Sequence, residues 1–185
     1  MQGKILINKM IVNKGTGRIL GYQVVGLGDV SKQLAQAAIA IQGKLTVNDI
    51  ACSDLPYAPP FSLAIDNFIA SSHAMQNKLR GLFQGISCRE VKEKIDKNVS
   101  CYILDVRGPD EYELMRLGIG ETLIPLGALR NRLEELPAVK STEIICYCKI
   151  SLRGYEASRI LEASGYTNVK VMEGGIMAWP YEREK

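Results

Sequence analysis

The residue with the plainest chemical potential is Cys148, which stands where an apolar run, Glu143-Ile-Ile-Cys-Tyr147, gives way to a short loop. Arg153 closes that loop after Lys149-Ile-Ser-Leu152, and a helical pattern then runs from Gly154 to Ser164. A thiol at a strand end, facing the start of the next helix, sits where backbone N–H groups and the helix dipole favour negative charge. The thiolate is the nucleophilic form of cysteine, so this placement makes Cys148 the candidate nucleophile. Lys149 and Arg153 add positive charge; Arg153 is open to a structural role, a role at the sulfur, or both. Lys149 is either an ordinary exposed cation or a guide for anionic substrates.

The elements needed to position such a loop are legible around it. Ser87-Cys-Arg-Glu90 is a capping box that starts a helix, flanked by Ile86 and Val91 as a hydrophobic staple. Cys101 to Val106 reads as a strand, Pro109 opens a helix, and Leu123-Ile-Pro-Leu126 is a brief strand. Ala128 to Leu136 is expected to be helical, stopped by Pro137; Gly165 closes the helix after the loop, and Val169 to Met172 is a last strand. Strands alternating with helices predict a parallel α/β sheet, whose sites gather at the carboxyl ends of the strands. Glu173-Gly-Gly175 makes a tight turn, and Trp179 is expected to pack over the sheet. Asp105 and Arg107 read as stabilisers of a strand end beside the loop.

These pieces in order, Ile103-Leu-Asp-Val-Arg107, Pro109-Asp-Glu-Tyr112, Ile124-Pro-Leu-Gly127, Cys148-x4-Arg153 and Glu173-Gly-Gly-Ile-Met-Ala-Trp179, resemble the rhodanese family of sulfurtransferases. The resemblance implies that Cys148 accepts a sulfane sulfur as a persulfide, cradled by the amides of Lys149, Ile150, Ser151 and Leu152, and passes it to a thiol acceptor. Cysteine phosphatases use a longer Cys-x5-Arg loop, so the shorter one here favours a single extra sulfur over a phosphate. A phosphatase or arsenate reductase stays as a lesser alternative. The family usually carries a glycine near the middle of this loop and this chain does not, so the resemblance does not extend to turnover of thiosulfate in particular.

The residues from 1 to about 83 form a different module, and Gly81-Leu-Phe-Gln-Gly85 reads as the linker to a second domain over 86–185. Lys4 to Val12 and Arg18 to Gly26 are strands joined by the glycine-bearing turn Asn13-Lys-Gly-Thr-Gly17, an antiparallel hairpin. Asp29 caps a helix to about Gln42, with Val30, Leu34, Ala37, Ala38 and Ile41 as its apolar stripe. Thr46-Val-Asn-Asp49 is a capping-box variant. The prolines of Asp54-Leu-Pro-Tyr57-Ala-Pro-Pro-Phe-Ser62 make a stiff arm, and a long helical pattern follows from Ile65 to Leu82.

Thr16-Gly-Arg-Ile-Leu-Gly21, Val24-Val-Gly26, Leu45-Thr-Val-Asn-Asp49 and Tyr57-Ala-Pro-Pro-Phe-Ser62 together resemble the C-terminal dimerisation domain of flavin-dependent pyridine-nucleotide disulfide reductases, in the branch of the coenzyme A-disulfide reductases and NADH oxidases. By that resemblance the chain forms a homodimer, and Tyr57 reaches across it to the partner's flavin and coenzyme A site; packing on its own proline-rich turn is the equal alternative. The parent enzymes carry FAD and NADH domains ahead of this unit. Here Gly26-Leu-Gly28 continues Asp-Val-Ser, without the third glycine of a dinucleotide fingerprint. The chain is therefore expected to be the C-terminal part of such a reductase. It should hold no cofactor itself, with FAD, NADH and coenzyme A belonging to the longer parent.

Composition bounds the rest. The apolar fraction of 46% and charged fraction of 23% are those of a soluble globular protein, and a net charge of +3 with scattered Lys and Arg leaves no nucleic-acid footprint. No apolar run approaches a membrane span. Five cysteines without paired spacing suit reduced thiols and a cytoplasmic setting. Cys146 is either a buried strand residue or a resolving thiol, and Cys52, Cys88 and Cys101 read as structural. The single histidine, His73, lies far from Cys148 in sequence, so the loop must activate its thiol without an imidazole. The alternative to an enzyme is a dimerising module whose loop only binds sulfur or anions.

Overall fold

A computed structural model describes residues 4–59 and 61–185; Pro60 of the proline-rich arm lies outside the described residues. The chain divides into two compact units, 1–82 and 83–185.

In the first unit, β1 (Leu6–Val12) and β2 (Ile19–Gly26) form an antiparallel hairpin with Met10 opposite Tyr22 and Ile7 opposite Val25. The Asn13 side-chain oxygen accepts from the amides of Gly15 and Thr16, at 3.0 and 2.9 Å, and shapes the turn. Successive strand residues face opposite ways, so Met10 enters the core while Ile7 and Ile11, with Val25 opposite Ile7, stay exposed; the register shift at Ile11/Val12 then brings Ile19 into the core. Helix α1 (Val30–Gln42) starts at Asp29, whose carboxylate accepts from the Lys32 amide. Its buried face differs from the sequence expectation. Gln33, Ala37 and Ala40 are buried, whereas Leu34 is 43% and Ile39 70% exposed. The cause is polar: Gln33 donates to the buried Asp66 at 3.1 Å and Lys32 pairs with the same carboxylate at 2.9 Å. That pull turns the helix away from its most apolar stripe. Helix α2 (Val47–Ala51) carries the Thr46–Asp49 capping box. Helix α3 (Asn67–Leu79) is capped by Asp66 and excludes Ile65, which precedes it and is 57% exposed.

The second unit is a five-stranded parallel sheet in the order β3-β7-β6-β4-β5. Its strands are β3 (Gly85–Ile86), β4 (Tyr102–Asp105), β5 (Thr122–Leu123), β6 (Ile144–Tyr147) and β7 (Val169–Met172). Its helices are α4 (Cys88–Asp96), α5 (Pro109–Leu114) and α6 (Leu152–Ala163). Gly85, placed in the linker by its sequence, pairs with Val171 as an edge-strand residue. The helix expected over Ala128–Leu136 is instead two 3-10 turns, Leu129–Asn131 and Leu133–Glu135. Leu126 and Leu129, then Leu133 and Leu136, recur at spacing three, which a 3-10 turn stacks on one side. Leu129 and Leu136 are buried as a result.

Both faces of the sheet are covered, as parallel sheets require. Leu104, Ile144 and Cys146 pack against Ala157 and Leu161 of α6 on one face. Ile103, Ile145 and Tyr147 pack with Val91, Ile176 and Trp179 on the other. Among the described residues no helix is long and apolar enough to cross a membrane.

Candidate functional site

β6 is the middle strand, hydrogen-bonded to β4 on one side and β7 on the other, and all four of its residues are buried. Cys148 follows at its carboxyl end and is 1% exposed. The strand alternation carries through it: Cys148 joins Cys146 and Val106 on the α6 face, while Tyr147 lies on the other. Burial pushes the Cys146 thiol well up, which keeps it protonated and inert. Cys88 and Cys101 are also pushed up by burial. Cys52 is exposed in the first unit.

The loop is shaped by the turn after β7. The Cys148 carbonyl accepts from the Ile176 amide at 2.9 Å and the Lys149 carbonyl from Met177 at 3.2 Å. Gly174 and Gly175 both have positive φ, and a Cβ on Gly175 would lie 2.3 Å from the Cys148 oxygen. The close approach of turn to loop therefore requires glycine at 175. In a trans peptide each carbonyl points opposite to the next residue's N–H. With the carbonyls of Cys148 and Lys149 directed at this turn, the amides of Lys149 and Ile150 point to the other side. Among the described residues, the amides of Lys149 to Arg153 donate to no protein acceptor. Unpaired N–H groups at the head of a twelve-residue helix suit an anion. Gly154 lets α6 lie against the sheet, since a Cβ there would stand 3.2 Å from Val171 and 3.5 Å from the Cys146 carbonyl.

Arg153 reaches Glu111 through both terminal nitrogens, at 2.6 and 2.9 Å. Its pKa is raised, first by the hydrogen bond that it donates to Glu111 and in smaller part by the charge of that carboxylate and of the Cys148 sulfur. The Arg153 hydrogen bond holds Glu111 in turn at about 2, far below an ordinary carboxyl. Glu111 also accepts from the Gly108 amide at 3.2 Å, at the head of α5. Asp105 and Arg107 make a buried pair at 2.6 Å, and Arg107 further donates to the carbonyls of Glu111 and Met115. This fixes α5 against the end of β4, a structural role in line with their place in the sequence.

The fold thus brings Cys148, Lys149, Ile150, Ser151, Leu152 and Arg153 into one loop. Lys149 is exposed, and Ile150 and Leu152 are 64% and 63% exposed on its rim. Tyr57 belongs to the first unit, where it is 63% exposed. Glu111 was legible as part of a motif but had no assigned role. Its signal was an acidic residue at the third position of a proline-opened helix, where a carboxylate both caps the helix and projects sideways. Among the described residues no group of three or more His, Cys, Asp or Glu is placed to hold a metal ion.

Residues 87–182 match the model of the rhodanese-like domain, and residues 1–68 that of the pyridine nucleotide-disulphide oxidoreductase dimerisation domain. The putative sulfurtransferase YtwF of Bacillus subtilis is 31% identical over 103 residues, which cover 52% of this chain and 90% of YtwF. Reduced CoADR-RHD of Bacillus anthracis is similar in structure, with a TM-score of 0.87 and 35% identity. A NAD-dependent persulfide reductase from A. fulgidus is similar as well, with a TM-score of 0.82 and 41% identity. Each of these two matches covers 95% of this chain and 30% of the other. The probable adenylyltransferase/sulfurtransferase MoeZ of Mycobacterium tuberculosis is longer, and the match, 29% identical over 96 residues, spans 24% of it. The chain belongs to the rhodanese-like family, joined to a dimerisation domain of the pyridine nucleotide-disulphide oxidoreductases.

Proposed function

We propose that Cys148 carries sulfur as a persulfide. Its thiolate attacks the sulfane sulfur of a donor, the donor's sulfur–sulfur bond breaks, and the electron pair leaves on the donor fragment. A thiolate acceptor then attacks the outer sulfur, and Cys148 departs as thiolate. The observation that carries this reading is the set of unpaired amides from Lys149 to Arg153 in the loop that follows the buried Cys148 at the end of β6. Preorganised donors of this kind favour a bound anion and the negative charge that develops in transfer. Arg153 holds the charge, and Lys149 stands outside to attract anionic donors.

In a longer protein this unit serves a reductase of coenzyme A disulfide, persulfide or polysulfide, with FAD and NADH supplied by other domains. The residues here do not fit a dinucleotide phosphate. Gly26 closes the hairpin, where a Cβ would meet the Ile5 carbonyl at 2.2 Å, and Gly28 abuts the Leu6 side chain. No step is assigned to those cofactors within this chain. The first unit pairs two copies through its exposed apolar hairpin face, and Tyr57 contacts the coenzyme A site across that pair.

The test is intact mass after treatment with thiosulfate or inorganic polysulfide. A gain of one sulfur, absent in Cys148→Ser, is the expected result. No adduct with either donor would overturn it in favour of a dimerising module that only binds anions.

A further inference from the structure

The conformation of Ser151 differs from that of the other residues with positive φ. Lys44 and Asn98, at φ 58° and 51°, follow the ends of α1 and α4, where the left-handed conformation is ordinary. Ser151 has φ 96° and stands at the start of α6, where an N-cap residue normally adopts extended backbone. A serine held there is strained by about 1–3 kcal/mol.

Its hydroxyl is also used in an unusual way. An N-cap serine ordinarily accepts from an amide of its own helix. Ser151 makes no such bond. Its hydroxyl oxygen accepts from the Gly174 amide at 2.7 Å and its O–H donates to the Met172 carbonyl at 3.2 Å, so the side chain reaches back to the end of β7. The Ser151 carbonyl meanwhile accepts from Tyr155 at 2.8 Å. The hydroxyl that would have filled the amides of Arg153 or Gly154 is thus committed elsewhere, and those amides are left open.

We infer that Ser151 is a positioning residue: its hydroxyl latches the Cys148 loop to the turn after β7, holds the left-handed bend, and keeps the loop amides available to an anion at Cys148. This rests on the proposed role of Cys148, but its test does not need sulfur transfer to occur. Glycine would relieve the bend and lose the latch. Alanine would keep the strain and lose the latch.

The experiment uses the full chain and compares wild type with Ser151→Ala and Ser151→Gly. The alkylation rate at Cys148 is read by peptide mass for two reagents of similar size, anionic iodoacetate and neutral iodoacetamide. Their ratio cancels changes in access and reports anion preference at the sulfur. The expected result is a fall in the iodoacetate-to-iodoacetamide ratio of about tenfold in both variants, the scale of one charge-assisted hydrogen bond. Thermal melts should rank Ser151→Ala below Ser151→Gly, since only the first retains the strain. A ratio unchanged in both variants, or preserved in Ser151→Gly alone, would overturn the latch. Wild type that alkylates normally but never gains sulfur would sink the persulfide reading and leave this result standing.

Discussion

Arg153 and Glu111 join two strand ends: the arginine that closes the Cys148 loop after β6 is anchored on the first turn of α5, which follows β4. Arg107 extends the connection, holding α5 by two carbonyls while paired with Asp105 at the end of β4. A line of charges therefore runs from the sheet to the loop, and each link predicts a measurable effect.

The Glu111 link should be visible in pH dependence. Its folded pKa is depressed to about 2 from 4.5, so its contribution is fully present above the unfolded value and lost as pH falls toward 2. Both side chains are about a third exposed, at 33% and 37%, so solvent screening reduces the pair to about 1 kcal/mol. Urea unfolding of Glu111→Gln should show that loss at neutral pH, and the gap from wild type should shrink as the pH drops from 4.5 toward 2. A gap constant across that window would contradict the assignment.

Arg107 is 2% exposed and its partner Asp105 fully buried, so truncating the arginine leaves an uncompensated charge inside the protein. Arg107→Met should cost about 3–5 kcal/mol, read from the denaturation of the second unit. Arg107→Met combined with Asp105→Leu should recover much of it, because removing both charges removes the penalty.

Gly175 has no room for a side chain, with φ at 58° and a virtual Cβ 2.3 Å from the Cys148 oxygen. Gly175→Ala must move the loop or the turn. Persulfide formation at Cys148 should drop by at least about tenfold, the effect of misplacing reacting groups by an ångström or less. The hairpin unit should melt as before, and a variant that loads sulfur at the normal rate would show that the turn does not set the loop.

Self-association is expected to run through the outer hairpin face. Ile7 and Val25 are directly opposite in the register and each 65% exposed. Ile7→Asp with Val25→Asp should convert a dimer to a monomer in sedimentation at low micromolar concentration, with little change in the melting of the second unit. Retention of the dimer would place the interface elsewhere.

Much of this was readable from residue patterns, and the gaps have physical causes. The strands β4, β6 and β7, the Ser87 capping box and the proline start of α5 were local signals, and local chemistry decided them; β3 was read as linker because two residues at a sheet edge carry no pattern of their own. The face of α1 was misread because Asp66, distant in sequence, drew in Gln33 and Lys32. The turns after Leu126 were read as a helix because spacing of three and spacing of three to four look alike over so short a run. At the site, Cys148 and Arg153 were legible from spacing. Glu111 and the backward reach of Ser151 were not, since each depends on where a separate strand end arrives.

The depth of the Cys148 sulfur governs how a cargo could be collected. A cysteine residue 1% exposed offers its sulfur little contact with the surrounding medium. On the proposed persulfide role, a receiver comes in over the rim, where Lys149, Ile150 and Leu152 stand outward, and the fit between that greasy, singly cationic lip and the incoming molecule would set which receiver is served.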